Sequence, residues 1–191
     1  MVCTDRRASG FYKPVPAHRD LQVVFIGQAY GERIALVRYL RRRGFQVSAF
    51  GSGWPDGFVD FDSVIRLISR AQVVLGCGDV GFMTGVRHLK GRDIETPMCG
   101  ALYLTSYNPE LTDHFVISDE ILCYSSRQEC ADLLHWITRQ PEKAEAIRRA
   151  ARAACLERHT WQHRFNVITS ALAGSESFAP VAHREPAPAT A

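Results

Sequence analysis

Two short stretches carry residue types that can meet a phosphorylated ligand. FIGQAYGER places Gly27 and Gly31 around a short turn and Arg33 at the mouth of the helix expected to follow. Glycines allow a tight turn, N–H groups at a helix start favour negative charge, and a guanidinium matches phosphate oxygens bidentately. The stretch follows neither the G-x-G-x-x-G fingerprint nor the Walker pattern, so spacing alone also describes a glycine turn beside a solvated arginine. The second stretch, LKGRDIETPMCGALYLT, has a glycine before a short helix that carries Arg92 and Glu95 one turn apart. Residues at i and i+3 share a helix face. A guanidinium for phosphate and a carboxylate for a pair of hydroxyls, such as a ribose diol, can then address one ligand. The plainer alternative is an intrahelical Arg–Glu pair of about 0.2–0.5 kcal/mol.

The elements that must hold these residues follow from the apolar pattern. LQVVFIG is a short run rich in β-branched residues, and RIALVRYLRRRG then spaces Ile34, Val37 and Leu40 for one helix face, with Gly44 as its stop. FQVSAF reads as a strand, DFDSVIRLISRA as a helix with an aspartate cap, and QVVLG as a buried strand. The alternation continues with RDIETPMCG as a short helix stopped by Gly100, then ALYLT and EILCY as strands. SRQECADLLHWITRQ, PEKAEAIRRAARAACLERH and TWQHRFNVITSALAG are helices, Pro141 standing in a favourable first turn. Strands separated by helices predict a doubly wound α/β fold, a Rossmann-like parallel sheet with helices on both faces. Ligands of such sheets bind beyond the carboxyl ends of the strands. Gly27, Arg33, Arg92 and Glu95 are therefore expected at one edge, on loops after the first and fourth predicted strands.

Length and composition set the boundaries. The 191 residues, 46% hydrophobic and 23% charged, suit one full-sized globular domain and leave little room for two. Residues 1–20 mix Arg, Pro and Gly without periodicity and read as a linker or the remnant of a preceding lobe. Residues 21–173 form the expected domain, and the Ala-, Pro- and Ser-rich residues 174–191 an expected disordered tail. No apolar run spans a bilayer and no secretory segment opens the chain, so a cytoplasmic location is expected with no membrane span. The six cysteines form no C-x-x-C pair and read as reduced, packed thiols. A net charge of +3 does not by itself argue for nucleic acid.

Three further features have plain readings. His159 and His163 lie four apart, but no glutamate accompanies them as in H-E-x-x-H and no third ligand stands out, so they are expected to be structural rather than a metal site. Arg41, Arg42 and Arg43 close a helix, where cations complement the dipole; without adjacent aromatics they do not read as a nucleic-acid groove. Trp54 and Pro55 in FGSGWPDG could line a sugar or base site, or form a loop packed onto the domain.

Taken in order, FIGQAYGERIALVRYL, FGSGWPDG, LKGRDIETPMCGALYLT, YNPEL and ERHTWQHR resemble the CgeB-like spore-maturation glycosyltransferases, from about Tyr12 to Phe165. That resemblance implies the C-terminal lobe of a two-lobed GT-B fold and binding of a nucleotide-diphosphate sugar, with no cofactor and no obligatory metal. It leans towards a retaining transfer. In wider relatives an acidic residue opening the helix before the Cys-Gly turn binds the nucleotide's ribose, and Glu95 stands there. It further implies that Arg33 and Arg92 lie near the diphosphate. A second acidic residue usual eight positions earlier is Arg87 here, a departure from the two-carboxylate pattern. Two hypotheses follow: a donor-binding half that works with a separate acceptor lobe or protein, and a non-catalytic nucleotide or nucleotide-sugar binding module.

Overall fold

A computed structural model describes residues 11–83 and 86–174. The expected tail from 175 onward and the first half of the expected linker lie outside the described residues. Five strands, β1 (Leu21–Ile26), β2 (Val47–Phe50), β3 (Ala71–Leu75), β4 (Tyr103–Ser106) and β5 (Leu122–Tyr124), form one parallel sheet in the order β2-β1-β3-β4-β5. Val23 pairs with Val47 on one side and Val73 on the other, which puts β1 near the centre. The chain moves outward from β1 to β2, then returns to add β3 on β1's other flank. The strand order therefore reverses between β1 and β3, where such sheets open a crevice beyond the strand ends.

Alternation along β1 divides the core into two layers, because successive side chains point to opposite faces. Val23 and Phe25 pack with Leu36, Val37 and Leu40 of α1 (Gly31–Arg42) and with Leu134 and Ile137 of α4 (Arg127–Thr138). Val24 and Ile26 pack with Ile65 and Ile68 of α2 (Phe61–Arg70) and with Met98 of α3 (Gly91–Met98). Helix α5 (Pro141–Arg158) supplies Ile147 to the first layer and Ala154 and Cys155 to the second. The final helix, α6 (Trp161–Gly174), buries none of its described side chains deeply.

The helix ends follow the expected chemistry. The Asp60 carboxylate accepts the Ser63 N–H at 2.8 Å and Ser126 Oγ that of Glu129 at 3.1 Å, side-chain caps worth ~1 kcal/mol each. Gly44 and Gly100 take positive φ values of 89° and 68° after α1 and α3, where side chains are strained. The pattern gave no sign of the short 3-10 helix at Pro109–Asp113, whose turn is set by Asn108 Oδ1 accepting the Glu110 N–H. Part of the lead-in lies against the domain: Arg19 donates to the carbonyls of Ser69, Ala71 and Gly100 at 3.0–3.1 Å, and Val15 N–H to Ser69 Oγ at 3.3 Å.

Candidate functional site

At the carboxyl ends of β1 and β3, strand β1, helix α1, the segment after β3, α3 and β4 converge on a narrow crevice lined by Phe25, Arg33, Gly76, Cys77, Lys90, Arg92 and Tyr103. A side chain at Gly27 would meet Arg92 Nη1 at 3.1 Å and the Phe25 ring at 3.4 Å, so the absence of a Cβ lets the guanidinium lie against the β1 turn. Gly31 opens α1 where a Cβ would fall 2.8 Å from the Gly81 carbonyl oxygen, which fixes how closely α1 approaches the segment after β3. The β2–α2 loop braces the same turn: the Trp54 indole donates to the Gly27 carbonyl at 2.7 Å and packs edge-on to Phe25. Trp54 is thus a packed support.

Three cations meet here with donors to spare. The Arg33 guanidinium lies over the Tyr30 ring at 4.1 Å and donates once, to the Gln28 carbonyl at 3.2 Å; its buried Nε has no acceptor among the described residues. Arg92 donates to no acceptor among the described residues, and no Arg92–Glu95 ion pair forms there. Lys90 Nζ donates to the Cys77 and Asp79 carbonyls at 2.7 and 2.9 Å, which leaves one of its three N–H donors. Burial first, and then the neighbouring Arg33, bring the Lys90 ammonium down to about 8. The buried carboxylate of Asp93 is already committed to the Lys90 N–H at 2.7 Å and the Tyr103 hydroxyl at 2.9 Å. Its own pKa is raised, chiefly by burial. The crevice is closed to about 10 Å³, room for about one water. An anion larger than that must move the long Arg33 or Arg92 side chain or lie across the mouth.

Beside it, α1's first turn, the segment after β3 and the start of α4 enclose about 410 Å³ lined by Gly31, Glu32, Asp79, Arg87, Ser126 and Arg127 among others. Arg87, eight positions before Glu95, reaches Asp79 at 3.8 Å and donates to the Tyr107 carbonyl at 2.7 Å. Asp79 also accepts from the Cys77 thiol at 3.1 Å, and burial pushes that thiol up to about 11.

The structure gathers Gly27, Arg33 and Arg92 into one crevice. Glu95 lies one turn further along α3, where its Oε1 accepts the Tyr12 hydroxyl at 2.7 Å. One expectation is corrected: Arg92 and Glu95 come between the third and fourth strands, so the loops that meet are those after β1 and β3, which are neighbours, not those after the first and fourth strands. Sequence reading missed Lys90, Asp79 and Tyr12. Asp79 had a signal, standing just past a strand end; Lys90 and Tyr12 acquire their roles only through distant partners.

The remaining candidates are occupied elsewhere. His159 is buried with its Nε2 at 2.9 Å from the His114 carbonyl, and His163 Nδ1 is 2.6 Å from Thr160 Oγ1. Both histidines brace the turn between α5 and α6. Arg41 donates twice to the Val47 carbonyl, and Arg43 to Gln128. Among the described residues no group of three His, Cys, Asp or Glu side chains could hold a metal, and no helix is long and apolar enough to cross a membrane.

Fold and site together define a Rossmann-like α/β lobe of the GT-B glycosyltransferase type. The Glycosyl transferase-like family model matches residues 22–170, and the chain belongs to that family. HepE of Anabaena, solved with UDP-glucose, superposes with a TM-score of 0.69 at 15% identity over 91% of this chain and 56% of that one. Sucrose-phosphate synthase of Thermosynechococcus elongatus gives 0.65 at 15% over 91% and 52%. The C-terminal domain of a group 1 glycosyl transferase from Francisella tularensis gives 0.55 at 10%, with 80% of this chain and 97% of that domain covered. The chain thus spans about half the length of the first two of these structures and nearly all of the isolated domain. A comparison with curated proteins finds no match.

Proposed function

We propose that this chain is the donor-binding lobe of a glycosyltransferase and holds a nucleotide-diphosphate sugar across the β1/β3 crevice. The observation that carries the reading is the convergence of Arg33, Lys90 and Arg92, with unused donors and no ion pair among the described residues, at the switch point of a chain from this family. The cations neutralise the diphosphate, whose departure as a leaving group they favour. The Glu95 carboxylate accepts the ribose hydroxyls, and the adjoining cavity takes the sugar. Similar structures supply the probe: HepE was solved with UDP-glucose and with UDP and glucose.

The same proposal places the chain in the CgeB-like branch, on the ordered motifs from FIGQAYGER to ERHTWQHR, takes 21–173 as the working unit and expects a retaining outcome. The free thiols Cys77, Cys99, Cys123, Cys130 and Cys155 suit a reducing compartment and support a cytoplasmic location. Transfer further requires an acceptor hydroxyl held in line with the anomeric carbon, which a second lobe or partner protein would present. A non-catalytic nucleotide or nucleotide-sugar binding module is the second reading, which the same cation cluster supports, since binding a diphosphate does not require turnover.

A thermal-shift panel of UDP, GDP, dTDP and their sugars tests the proposal. At least one nucleotide should raise the melting temperature in proportion to the logarithm of its concentration. Flat curves for all of them at millimolar concentration would remove the donor site from this crevice. If binding appears, adding an acceptor panel separates the transferase from the binding module.

A further inference from the structure

Helix α3 presents Glu95 half-buried, with one carboxylate oxygen engaged and the other without a hydrogen-bond donor among the described residues. The engaged oxygen, Oε1, takes the hydroxyl of Tyr12, 83 residues away in the chain, at 2.7 Å. Tyr12 is itself a fixed post. Its ring meets Phe61 edge-on at 5.4 Å, and Phe61 begins α2 directly after the Asp60 cap. The lead-in that carries Tyr12 is tied down by the Val15 N–H bond to Ser69 and by the three carbonyl bonds of Arg19. Burial, followed by the neighbouring Glu95 carboxylate, pushes the Tyr12 hydroxyl above the usual phenol range, so it remains a donor.

From this geometry we infer that Tyr12 is a positioning residue of the nucleotide site, which holds the Glu95 carboxylate in the one orientation that receives a ribose diol. The inference rests on the donor-binding reading above and extends it to a ribonucleotide rather than a deoxyribonucleotide. A glutamate side chain free to rotate must be ordered when ligand arrives, and that cost weakens binding. Tyr12 orders it beforehand. An ionised carboxylate has about four acceptor positions, so one bond from Tyr12 leaves Oε2 and the second lone pair of Oε1 for hydroxyls. Had both oxygens been engaged, the tyrosine would read as a plug.

The test measures UDP and 2′-deoxy-UDP affinity by calorimetry for the full chain and for Tyr12→Phe, Glu95→Gln and the double variant. Tyr12→Phe retains the ring that packs on Phe61 and removes only the hydroxyl. It should weaken UDP binding roughly fivefold to tenfold, and the wild type's preference for UDP over 2′-deoxy-UDP should shrink. In the Glu95→Gln background the same change should cost less than about twofold, because the group being oriented is gone. A purely structural tyrosine would weaken both nucleotides alike. Phe61→Leu, which loosens the post and spares the hydroxyl, should shift the preference in the same direction by less, and it serves if Tyr12→Phe folds poorly. UDP affinity unchanged or tighter in Tyr12→Phe overturns the inference and leaves the donor site standing. A wild-type chain that binds no ribonucleoside diphosphate overturns both.

Discussion

The same sheet carries a group of arginines at each edge, and their donors meet different fates. At the amino edge, Arg19 spends its terminal nitrogens on the carbonyls of Ser69, Ala71 and Gly100, and Arg148 on the Gln72 carbonyl and Glu145. Those carbonyls lie where β3 begins and where the chain turns into β4, so the arginines close the sheet's lower edge. At the carboxyl edge, Arg33 donates one hydrogen bond and Arg92 none among the described residues, although both approach Lys90 in a half-buried crevice. Buried cations are costly unless paired. The terminal nitrogens of the lower group have their acceptors within the fold, although Arg148 Nε, like Arg33 Nε, is buried without one among the described residues; the terminal nitrogens of the upper group are left for a partner from outside. Residue type alone does not tell a structural arginine from a ligand-binding one; the location of its acceptors does.

Removing the upper pair gives the largest effect expected from this contrast. The double variant Arg33→Ala/Arg92→Ala should lose roughly a hundredfold in UDP affinity, since two charge-assisted contacts go. Its unfolding free energy from urea titration should stay within about 0.5 kcal/mol of the wild type or rise, because little inside the fold depends on those donors. A variant that unfolds but binds normally would reverse the two roles. Next in size is the lower edge: Arg19→Ala should destabilise by about 2 kcal/mol, because three carbonyls lose their donor in a partly wet setting. Nucleotide affinity, measured where the variant is folded, should be unchanged. Equal loss of binding in both variants would mean that the edges are coupled through the sheet and that the contrast drawn here is false.

The sequence disclosed the two groups unevenly, for a physical reason. The strands were readable because LQVVFIG and QVVLG are buried on both faces, and the helices because caps and stops such as Asp60, Gly44 and Gly100 act within a few residues. Gly27, Arg33, Arg92 and Glu95 were readable as types at helix and strand ends. What each one touches was not. Arg92 against Gly27, Tyr12 on Glu95 and Trp54 on Gly27 join residues far apart in the chain. Nothing in the sequence sets Lys90 apart from other lysines; burial over the Cys77 and Asp79 carbonyls is a tertiary fact. The stretch holding Tyr12 has no periodicity, so it read as a linker although residues 12–19 include side chains docked on α2 and α3.

Lys90 provides the smallest effect and the sharpest sign. Its pKa falls from 10.5 to about 8, through burial first and Arg33 second, so the free crevice loses a positive charge as pH rises through about 8. A bound diphosphate adds negative charge and draws the proton back, so binding above that pH takes up a proton and affinity must fall with pH. Phosphate's second ionisation, near pH 6, is complete by then and does not contribute. UDP affinity should drop by up to about tenfold between pH 7 and pH 9, the limit set by one proton with an apparent pKa near 8. Lys90→Gln should bind more weakly at pH 7 and show a flatter profile. Stability moves the other way. The unfolded chain keeps the lysine proton up to its ordinary pKa, so between about 8 and 10.5 it binds more protons than the folded chain, and this contribution to stability rises with pH. The thiols of Cys77, Cys99 and Cys123, raised by burial, act in the opposite sense as pH climbs. The lysine's share is therefore read as the difference between wild type and Lys90→Gln in paired urea titrations at pH 7 and 9. Binding that falls while this difference grows fits a cation held at a cost for an absent anion. Binding that is flat across the same range assigns Lys90 to the Cys77 and Asp79 carbonyls and leaves the diphosphate to Arg33 and Arg92.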